Sequence, residues 1–228
     1  MVQRQVGILG LGAYLHERVL TNHDLEKMVD TSDEWIWTRT GIRERRIAEK
    51  GTPTSELARR ASLEAIQTAG LKPTDMDLII LATVSPDMIF PATACIVQDK
   101  IGARCPAFDI SAACSGFPYA LALGEGLIRS GSYKHILVVG AEVISGFINW
   151  KDRSTCVLFG DGAGAAVLGQ VQDGHGILAT HLGSDGAQAH LLHIPAGGSA
   201  IPPSLASVKA GLHYVQMEGS EVFKAAVR

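Results

Sequence analysis

Several features that mark specialised classes of protein are missing from this sequence of 228 residues. No apolar run is long enough to span a bilayer, and the chain starts with a strand-like segment where a secretory signal would be basic and apolar. The formal net charge of −3 provides no general affinity for nucleic acid. Four cysteines without a Cys-x-x-Cys pair argue against a zinc site or a disulfide framework. We therefore expect a cytoplasmic protein, in a compartment that keeps thiols reduced.

The composition that remains is typical of a globular α/β protein. Apolar residues make up 46% of the chain and charged residues 19%, and the 25 glycines suit tight crossovers between elements. Short apolar runs alternate with helix-like segments such as 52–69, which ends at Gly70. The predicted strands are 6–15, 77–84, 105–110, 135–144 and 159–171. This βαβ order predicts a mostly parallel sheet with helices on both faces.

The segment 105–128 predicts a buried strand, a turn of small residues and then a helix. Pro118 suits the first turn of that helix, where its missing N–H has no partner to lose. The sulfur of Cys114 would then lie at a helix N-terminus, where the partial positive charge and free N–H groups favour the thiolate. The same N–H groups could hold the oxyanion formed by attack on a carbonyl. Cys114 is therefore our candidate nucleophile.

A lone cysteine in an apolar context is more often a small core residue. Cys95 lies in a helix-like run, while Cys105 and Cys156 lie at the edges of strand-like runs, and none of them has the turn of small residues. We predict that these three cysteines are core residues and that Cys114 is not.

Aromatic residues are scarce, at 6% of the chain, yet two of the three tryptophans stand among arginines. The members of this group within twelve positions are Trp35, Trp37, Arg39, Arg43, Arg45 and Arg46. A tryptophan face can stack on a base, and a guanidinium group can pair with a phosphate. The alternative is a solvated loop whose tryptophans fill the core. The residues alone leave the two interpretations open.

Three other patterns are weak indications of a nucleotide or metal site. Gly7, Gly10 and Gly12 lack the third glycine of a dinucleotide-binding fingerprint, and no Lys-Ser or Lys-Thr pair follows the glycines at 160–164. His190 and His193 have no neighbouring carboxylate or cysteine to complete a metal site. We expect neither a nucleotide loop nor a metal.

Three blocks of sequence resemble β-ketoacyl-acyl-carrier-protein synthase III, a family of thiolase-fold enzymes of bacterial fatty acid synthesis. They are Asp109-Ile-Ser-Ala-Ala-Cys-Ser-Gly-Phe-Pro-Tyr-Ala-Leu, Val29-Asp-Thr-Ser-Asp-Glu-Trp-Ile-Trp-Thr-Arg-Thr-Gly-Ile-Arg-Glu-Arg-Arg, and Phe159-Gly-Asp-Gly-Ala-Gly-Ala-Ala-Val-Leu. The blocks stand in the family's order with similar spacing, and the resemblance covers essentially the whole chain.

The resemblance implies a thiolase-like fold, a layered α/β structure built by internal duplication. It divides the chain into a complete first half, 1–172, with the nucleophile, and the beginning of a truncated second half, 173–228. A second strand-like segment at 176–184 echoes the glycine-rich start of the chain and would open that second half.

The resemblance also implies a reaction. Cys114 would take an acyl group, acetyl being expected, from acyl-coenzyme A. The acyl group would then be condensed with malonyl-acyl carrier protein, releasing carbon dioxide and a 3-oxoacyl product. The coenzyme A thioester is a substrate, no separate cofactor or metal is implied, and the enzyme would be a homodimer.

Particular residues match family positions that bind substrate. Thr31, Trp35 and Arg39 would contact the adenine and phosphates of coenzyme A, and Arg153 would close the other side of the adenine. Phe90 would reach across a dimer interface into the partner's acyl pocket, although an ordinary core phenylalanine is equally compatible with the residues alone. Trp37 is bulkier than is usual in the family, and simple packing is the alternative for it. The remaining matches near the acyl pocket and the pantetheine arm are Ile144, Phe159, Leu192, Val215 and Ser220.

The family also uses a His in a Pro-His-Gln-Ala-Asn block and an Asn in a Gly-Asn-Thr block, and neither block occurs here. We therefore expect an N-terminal part of a synthase that acylates its cysteine without completing the condensation. One alternative is another thiolase-fold acyltransferase with a different donor or acceptor. The other is a catalytically inactive acyl-coenzyme A binder.

Overall fold

The computed structural model describes residues 5–172 and 174–227 of the chain. The strands of this part are β1 (Val6–Tyr14), β2 (Val19–Thr21), β3 (Glu44–Arg46), β4 (Leu78–Ala82), β5 (Ala107–Ile110), β6 (Ile136–Glu142), β7 (Gly162–Gln170), β8 (Leu192–His193) and β9 (Gln216–Met217). The α-helices are α1 (Asn22–Glu26), α2 (Asp33–Thr40), α3 (Thr54–Thr68), α4 (Thr93–Ile101), α5 (Gly116–Arg129), α6 (Arg153–Cys156), α7 (Leu205–Lys209) and α8 (Gly219–Ala226). None of the helices in these residues is long and apolar enough to cross a membrane.

The central sheet has five strands in the order β1-β7-β6-β4-β5. β4 pairs in parallel with both β5 and β6, whereas β7 pairs antiparallel with both β6 and β1. The strands β1, β4, β5 and β6 therefore point the same way, and β7 runs against them. The prediction of an α/β fold with a mostly parallel sheet is confirmed for the strand directions, although two of the four pairings are antiparallel.

The chain forms two compact units, and the first comprises residues 1–18, 47–143 and 161–182. It holds the central sheet, whose strand β4 is buried at every position because helices cover both faces. Ile79 and Leu81 face a core that includes residues of α3 and α4. Leu78 and Ile80 point to the opposite face, where they join the buried residues of α5. Successive residues of a strand alternate in this way between the two faces.

Glycines in β1 bring α3 close to the sheet. A Cβ at Gly12 would overlap the backbone of Ala61 and Ala65 in α3, and a Cβ at Gly10 would overlap the backbone of Ala65 and Ala69. The glycine-rich start of the chain is thus explained by close packing of a strand against a helix.

The second unit comprises residues 19–46, 144–160 and 183–228. Its core contains Leu25 and Ile36 from α1 and α2, together with Ile148, Val157 and Val215. The two-stranded sheets β2-β3 and β8-β9 belong to this unit. Because each unit is drawn from several separate segments, neither coincides with the predicted halves 1–172 and 173–228. That division stays a prediction, and its boundary residues Met1, Asp173 and Arg228 lie outside the described residues.

The predicted strand at 176–184 was wrong. Residues 177–184 have no regular structure, and Leu178 is 84% exposed. The backbone of this segment makes a hydrogen bond to β1 from Ile177 N to Val6 O at 2.8 Å. A strand needs a neighbour along its length to pair its N–H and C=O groups, and this segment has no such ladder among the described residues.

The core prediction for the other cysteines was right for Cys156 and wrong for Cys95. Cys156 is fully buried in α6, and Cys105 is half-buried. Burial raises the pKa of both thiols. Cys95 is exposed because α4 turns Ala94, Val97 and Ile101 toward the core and leaves Cys95 on another face.

Candidate active site

Cys114 lies in the turn between β5 and α5, as the sequence predicts. The turn is a single 3₁₀ turn of residues Ala113–Ser115, and the cysteine in it is exposed. Ala113, the preceding residue, has φ of +45°, a left-handed conformation that is uncommon for residues other than glycine. The backbone is closed by a hydrogen bond from Ser115 N to Ala112 O at 3.1 Å.

Small residues allow the start of α5 to lie on the sheet. A Cβ at Gly116 would stand 2.9 Å from the Cβ of Ala82 at the end of β4, and a Cβ at Gly140 would stand 3.2 Å from the ring of Phe117. Ser115, the N-cap of α5, makes no side-chain hydrogen bond to the first turn. The N-terminal N–H groups of α5 therefore have no side-chain cap competing with an incoming oxyanion.

Two aspartates hold the elements that flank this turn. Asp109, the third residue of β5, accepts hydrogen bonds from Thr93 N and Ala94 N at the start of α4, both at 2.7 Å. Asp87 accepts a hydrogen bond from Ser55 N at the start of α3 at 2.8 Å, and its own N–H donates to Thr93 Oγ1 at 3.1 Å. A carboxylate at a helix N-terminus is favourable because the free N–H groups carry partial positive charge. The strand that leads to Cys114 is thereby tied to the loop that follows β4.

Glu142, at the end of β6, is a half-buried carboxyl group that the sequence analysis missed. It accepts hydrogen bonds from Val84 N at 2.9 Å, from Thr83 Oγ1 at 3.3 Å and from the hydroxyl of Ser85. Burial raises the pKa of Glu142 despite these three donors. The available signal was an acidic residue ending an otherwise apolar strand, which sequence reasoning did not use.

Phe90 lies in the loop held by Asp87 and Glu142, and it is 81% exposed. The neighbouring Ile89 is 82% exposed. The alternative that Phe90 is an ordinary core residue is therefore wrong, since its ring lies almost entirely outside the core of the first unit.

In the second unit, three of the predicted coenzyme A residues come together as an aromatic–arginine cluster of Trp35, Arg39 and Arg153. The guanidinium carbon of Arg39 lies 4.6 Å from the Trp35 ring centroid, and that of Arg153 lies 4.8 Å from it. Trp35 and Arg39 are neighbours because they stand four residues apart on α2. Arg153 reaches them from α6 and also donates to Asp30 O at 2.9 Å.

The start of α2 is well defined next to this cluster. Ser32 caps the helix by accepting a hydrogen bond from Trp35 N at 3.0 Å. Thr31 precedes the cap, and its Oγ1 is buried with no hydrogen-bond partner among the described residues. Trp37 lies at the surface, 41% exposed, with the guanidinium carbon of Arg43 at 3.8 Å from its ring. The interpretation as a solvated loop is wrong for this segment, because residues 33–40 form a helix. Its placement of the tryptophans in the core is half right, since Trp35 is partly buried against the core of the second unit, whereas Trp37 packs on Arg43.

The remaining predicted positions in the second unit divide into two groups. Ile144 and Val215 are buried and Phe159 is partly buried, all in one apolar cluster. Leu192 is 38% exposed, and Ser220 is exposed in the first turn of α8. The contacts of these five residues with substrate stay a prediction.

Comparison with known proteins establishes the family. The sequence profile of 3-oxoacyl-acyl-carrier-protein synthase III matches residues 108–186, which include the turn that holds Cys114. β-Ketoacyl-acyl-carrier-protein synthase III of Caldanaerobacter subterraneus subsp. tengcongensis is 60% identical over 223 residues, covering 97% of this chain and 67% of that protein. The chain belongs to the β-ketoacyl-acyl-carrier-protein synthase III family. By family it is an acyltransferase of the condensing-enzyme type, as predicted.

Solved structures of synthase III agree with this assignment. The Aquifex aeolicus VF5 enzyme has a TM-score of 0.86 at 50% identity, covering 96% of this chain and 67% of that one. The Pseudomonas aeruginosa PAO1 enzyme has a TM-score of 0.87 at 42% identity, covering 98% of this chain and 67% of that one. These matches confirm the predicted thiolase-like synthase III fold. The chain spans about two thirds of the length of these synthases.

Proposed function

We propose that Cys114 is the residue that accepts the acyl group, with acetyl-coenzyme A as the expected donor. The observation that carries this proposal is the placement of an exposed thiol immediately before an uncapped helix N-terminus. The thiolate attacks the thioester carbonyl, and the N–H groups of α5 hold the resulting oxyanion. The carbon–sulfur bond to coenzyme A then breaks, coenzyme A leaves as a thiolate that takes a proton from water, and the acyl group remains on Cys114.

The aromatic–arginine cluster supports binding of the coenzyme A moiety. The adenine stacks on the indole of Trp35, and the guanidinium groups of Arg39 and Arg153 provide charge for phosphates. The Arg153 guanidinium, 4.8 Å from the Trp35 ring without ligand, has to withdraw to the outer face of the adenine when the base enters. Thr31, which precedes the cap of α2, supplies a buried hydroxyl that has no hydrogen-bond partner among the described residues. No cofactor beyond the thioester substrate enters this scheme.

In the full reaction, the acyl group condenses with malonyl-acyl carrier protein, carbon dioxide leaves, and a 3-oxoacyl product forms. Decarboxylation requires hydrogen-bond donors at the malonyl carbonyl, which family resemblance assigns to a His and an Asn. The two sequence blocks that carry them do not occur in this chain. Each such donor contributes about 10²–10³ in rate, so we expect this chain to acylate itself without condensing. We further propose a cytoplasmic homodimer whose interface includes Phe90.

Intact mass spectrometry after incubation with acetyl-coenzyme A tests the proposal. The chain should gain one acetyl group, Cys114→Ala should gain none, and Cys95→Ala, which removes another exposed thiol, should behave like the unsubstituted chain. Addition of malonyl-acyl carrier protein should then give no 3-oxoacyl product. Acetylation that persists in Cys114→Ala would remove Cys114 from this role. Formation of product would contradict the expected dependence of condensation on the absent His and Asn.

A further inference from the structure

The second unit contains a buried guanidinium group that the proposed reaction does not use. Arg45, in β3, is 6% exposed. It donates to Leu20 O at 3.2 Å, to Asn22 Oδ1 at 2.9 Å and to Val157 O at 3.0 Å. All three acceptors are neutral, and the salt bridges formed by the described residues do not include Arg45. Burial accordingly lowers the pKa of Arg45.

A buried cation without a carboxylate is costly, so its three acceptors need to supply the compensation. An arginine suits this task because its planar fork donates in several fixed directions at once. Gly160 also leaves room for it, since a Cβ there would lie 3.0 Å from the Cβ of Arg45. The side chain is thus held between two parts of the unit.

Those two parts are the elements that carry the aromatic–arginine cluster. On one side, Asn22 accepts a hydrogen bond from Arg45. Its Nδ2 donates a hydrogen bond at 2.8 Å to Oδ1 of Asp33, the first residue of α2. Asn22 Nδ2 also donates to Ile42 O at 2.7 Å, just beyond the end of α2. On the other side, Arg45 donates to the carbonyl of Val157, the C-cap of α6. Trp35 and Arg39 project from α2, and Arg153 is the first residue of α6.

We propose that Arg45 is a positioning residue for the coenzyme A site, which sets the distance between α2 and α6 and therefore the stack of Arg153 on Trp35. It acts through Asn22 and Val157 and needs no contact with the ligand. The identity of the ligand rests on the proposed function, whereas the geometry of the ligand-free stack does not. A lysine cannot replace Arg45, because one ammonium group cannot reach acceptors on both sides with the same geometry.

The test compares Arg45→Met and Arg45→Lys with Ile148→Ala, which opens the same core but leaves the three hydrogen bonds intact. Two readouts are measured beside the melting temperature. One is the quenching of Trp35 fluorescence by iodide without ligand. The signal of Trp35 is obtained by subtracting the fluorescence of the same variant carrying Trp35→Phe. The other is coenzyme A affinity by calorimetry, with Trp35→Ala as reference.

Both Arg45 variants should increase Trp35 quenching about twofold and weaken coenzyme A binding about tenfold, within the range expected for a lost base stack. Ile148→Ala should lower the melting temperature but change both readouts by less than about twofold. Should Arg45→Met not fold, Asn22→Leu removes only the hydrogen bonds that link Arg45 to α2. This variant is expected to raise Trp35 quenching in the same way.

The proposal is overturned if folded Arg45 variants leave Trp35 quenching unchanged, or if Ile148→Ala changes it equally. It is also overturned if Arg45→Lys shows the same Trp35 quenching and the same coenzyme A affinity as the unsubstituted chain. If the unsubstituted chain binds coenzyme A no better than Trp35→Ala, the proposed function fails, and the ligand-free quenching still decides the role of Arg45.

Discussion

At the scale of single residues, the turn that holds Cys114 contains an alanine in an unfavourable backbone conformation. Ala113 has φ of +45°, and for an alanine the left-handed region costs about 1–2 kcal/mol. Glycine would remove this strain but would lose about 0.5–1 kcal/mol through the entropy of the unfolded chain. A β-branched side chain would add to the strain, because its two heavy atoms crowd the backbone.

We therefore expect Ala113→Gly to change the free energy of unfolding by less than about 1 kcal/mol. Ala113→Val should lower it by about 1–3 kcal/mol. Urea unfolding of the two variants beside the unsubstituted chain measures this difference. Equal stability of the valine variant would mean that the left-handed conformation does not persist in solution.

At the scale of elements, acidic side chains join the ends of the strands to the loops and helices around Cys114. Asp109 connects β5 to α4, and Glu142 connects β6 to the residues that follow β4. These contacts span elements that are far apart in the chain, and they hold the loop that carries Phe90. The position of the loop therefore depends on these half-buried carboxyl groups as well as on its own turns.

The pKa of Glu142 gives this link a pH dependence. Because burial raises this pKa above the ordinary value of 4.5, the folded chain binds the proton more tightly than the unfolded chain. The contribution to stability is complete below pH 4.5 and is lost as the pH rises through the raised pKa. The free energy of unfolding of the unsubstituted chain, measured by urea unfolding, should thus fall relative to that of Glu142→Gln as the pH rises from 4.5 through the raised pKa. Parallel pH profiles would contradict this assignment.

Prediction from the sequence succeeded best for elements whose signals are local. The turn of small residues, Pro118 and the stop at Gly131 together predict the helix after Cys114, and α5 ends at Arg129 just before that glycine. The segment 33–46 was harder, because its charged and aromatic side chains suit a loop as well as a helix. Capping by Ser32 and burial of Ile36 decide in favour of α2.

At the scale of the whole molecule, the first unit presents an exposed apolar patch of Met88, Ile89 and Phe90. Their exposed fractions are 49%, 82% and 81%, which is unusual for three consecutive large apolar side chains. Association of two copies would remove this surface from water at a gain of about 25 cal/mol per Å². The proposed homodimer therefore predicts that association depends on Phe90.

Sedimentation at micromolar concentration tests that dependence. The unsubstituted chain should form dimers, and Phe90→Asp should weaken association at least about tenfold, as expected when a charge replaces a central aromatic residue. Leu178→Asp places the same charge on another exposed apolar residue of the first unit, 84% exposed, and should leave association unchanged. A monomeric unsubstituted chain, or equal weakening by Leu178→Asp, would count against the interface.

The sequence by itself determined the family, the α/β class and the strand–turn–helix around Cys114. These features depend on helix periodicity, capping and turn chemistry, which act within a few residues of one another. Only the tertiary structure decided that Arg39 and Arg153 meet at Trp35, that Cys95 is exposed, that residues 177–184 lack a strand, and that Arg45 is buried. Burial and strand pairing depend on which distant segments meet, and a local pattern does not carry that information.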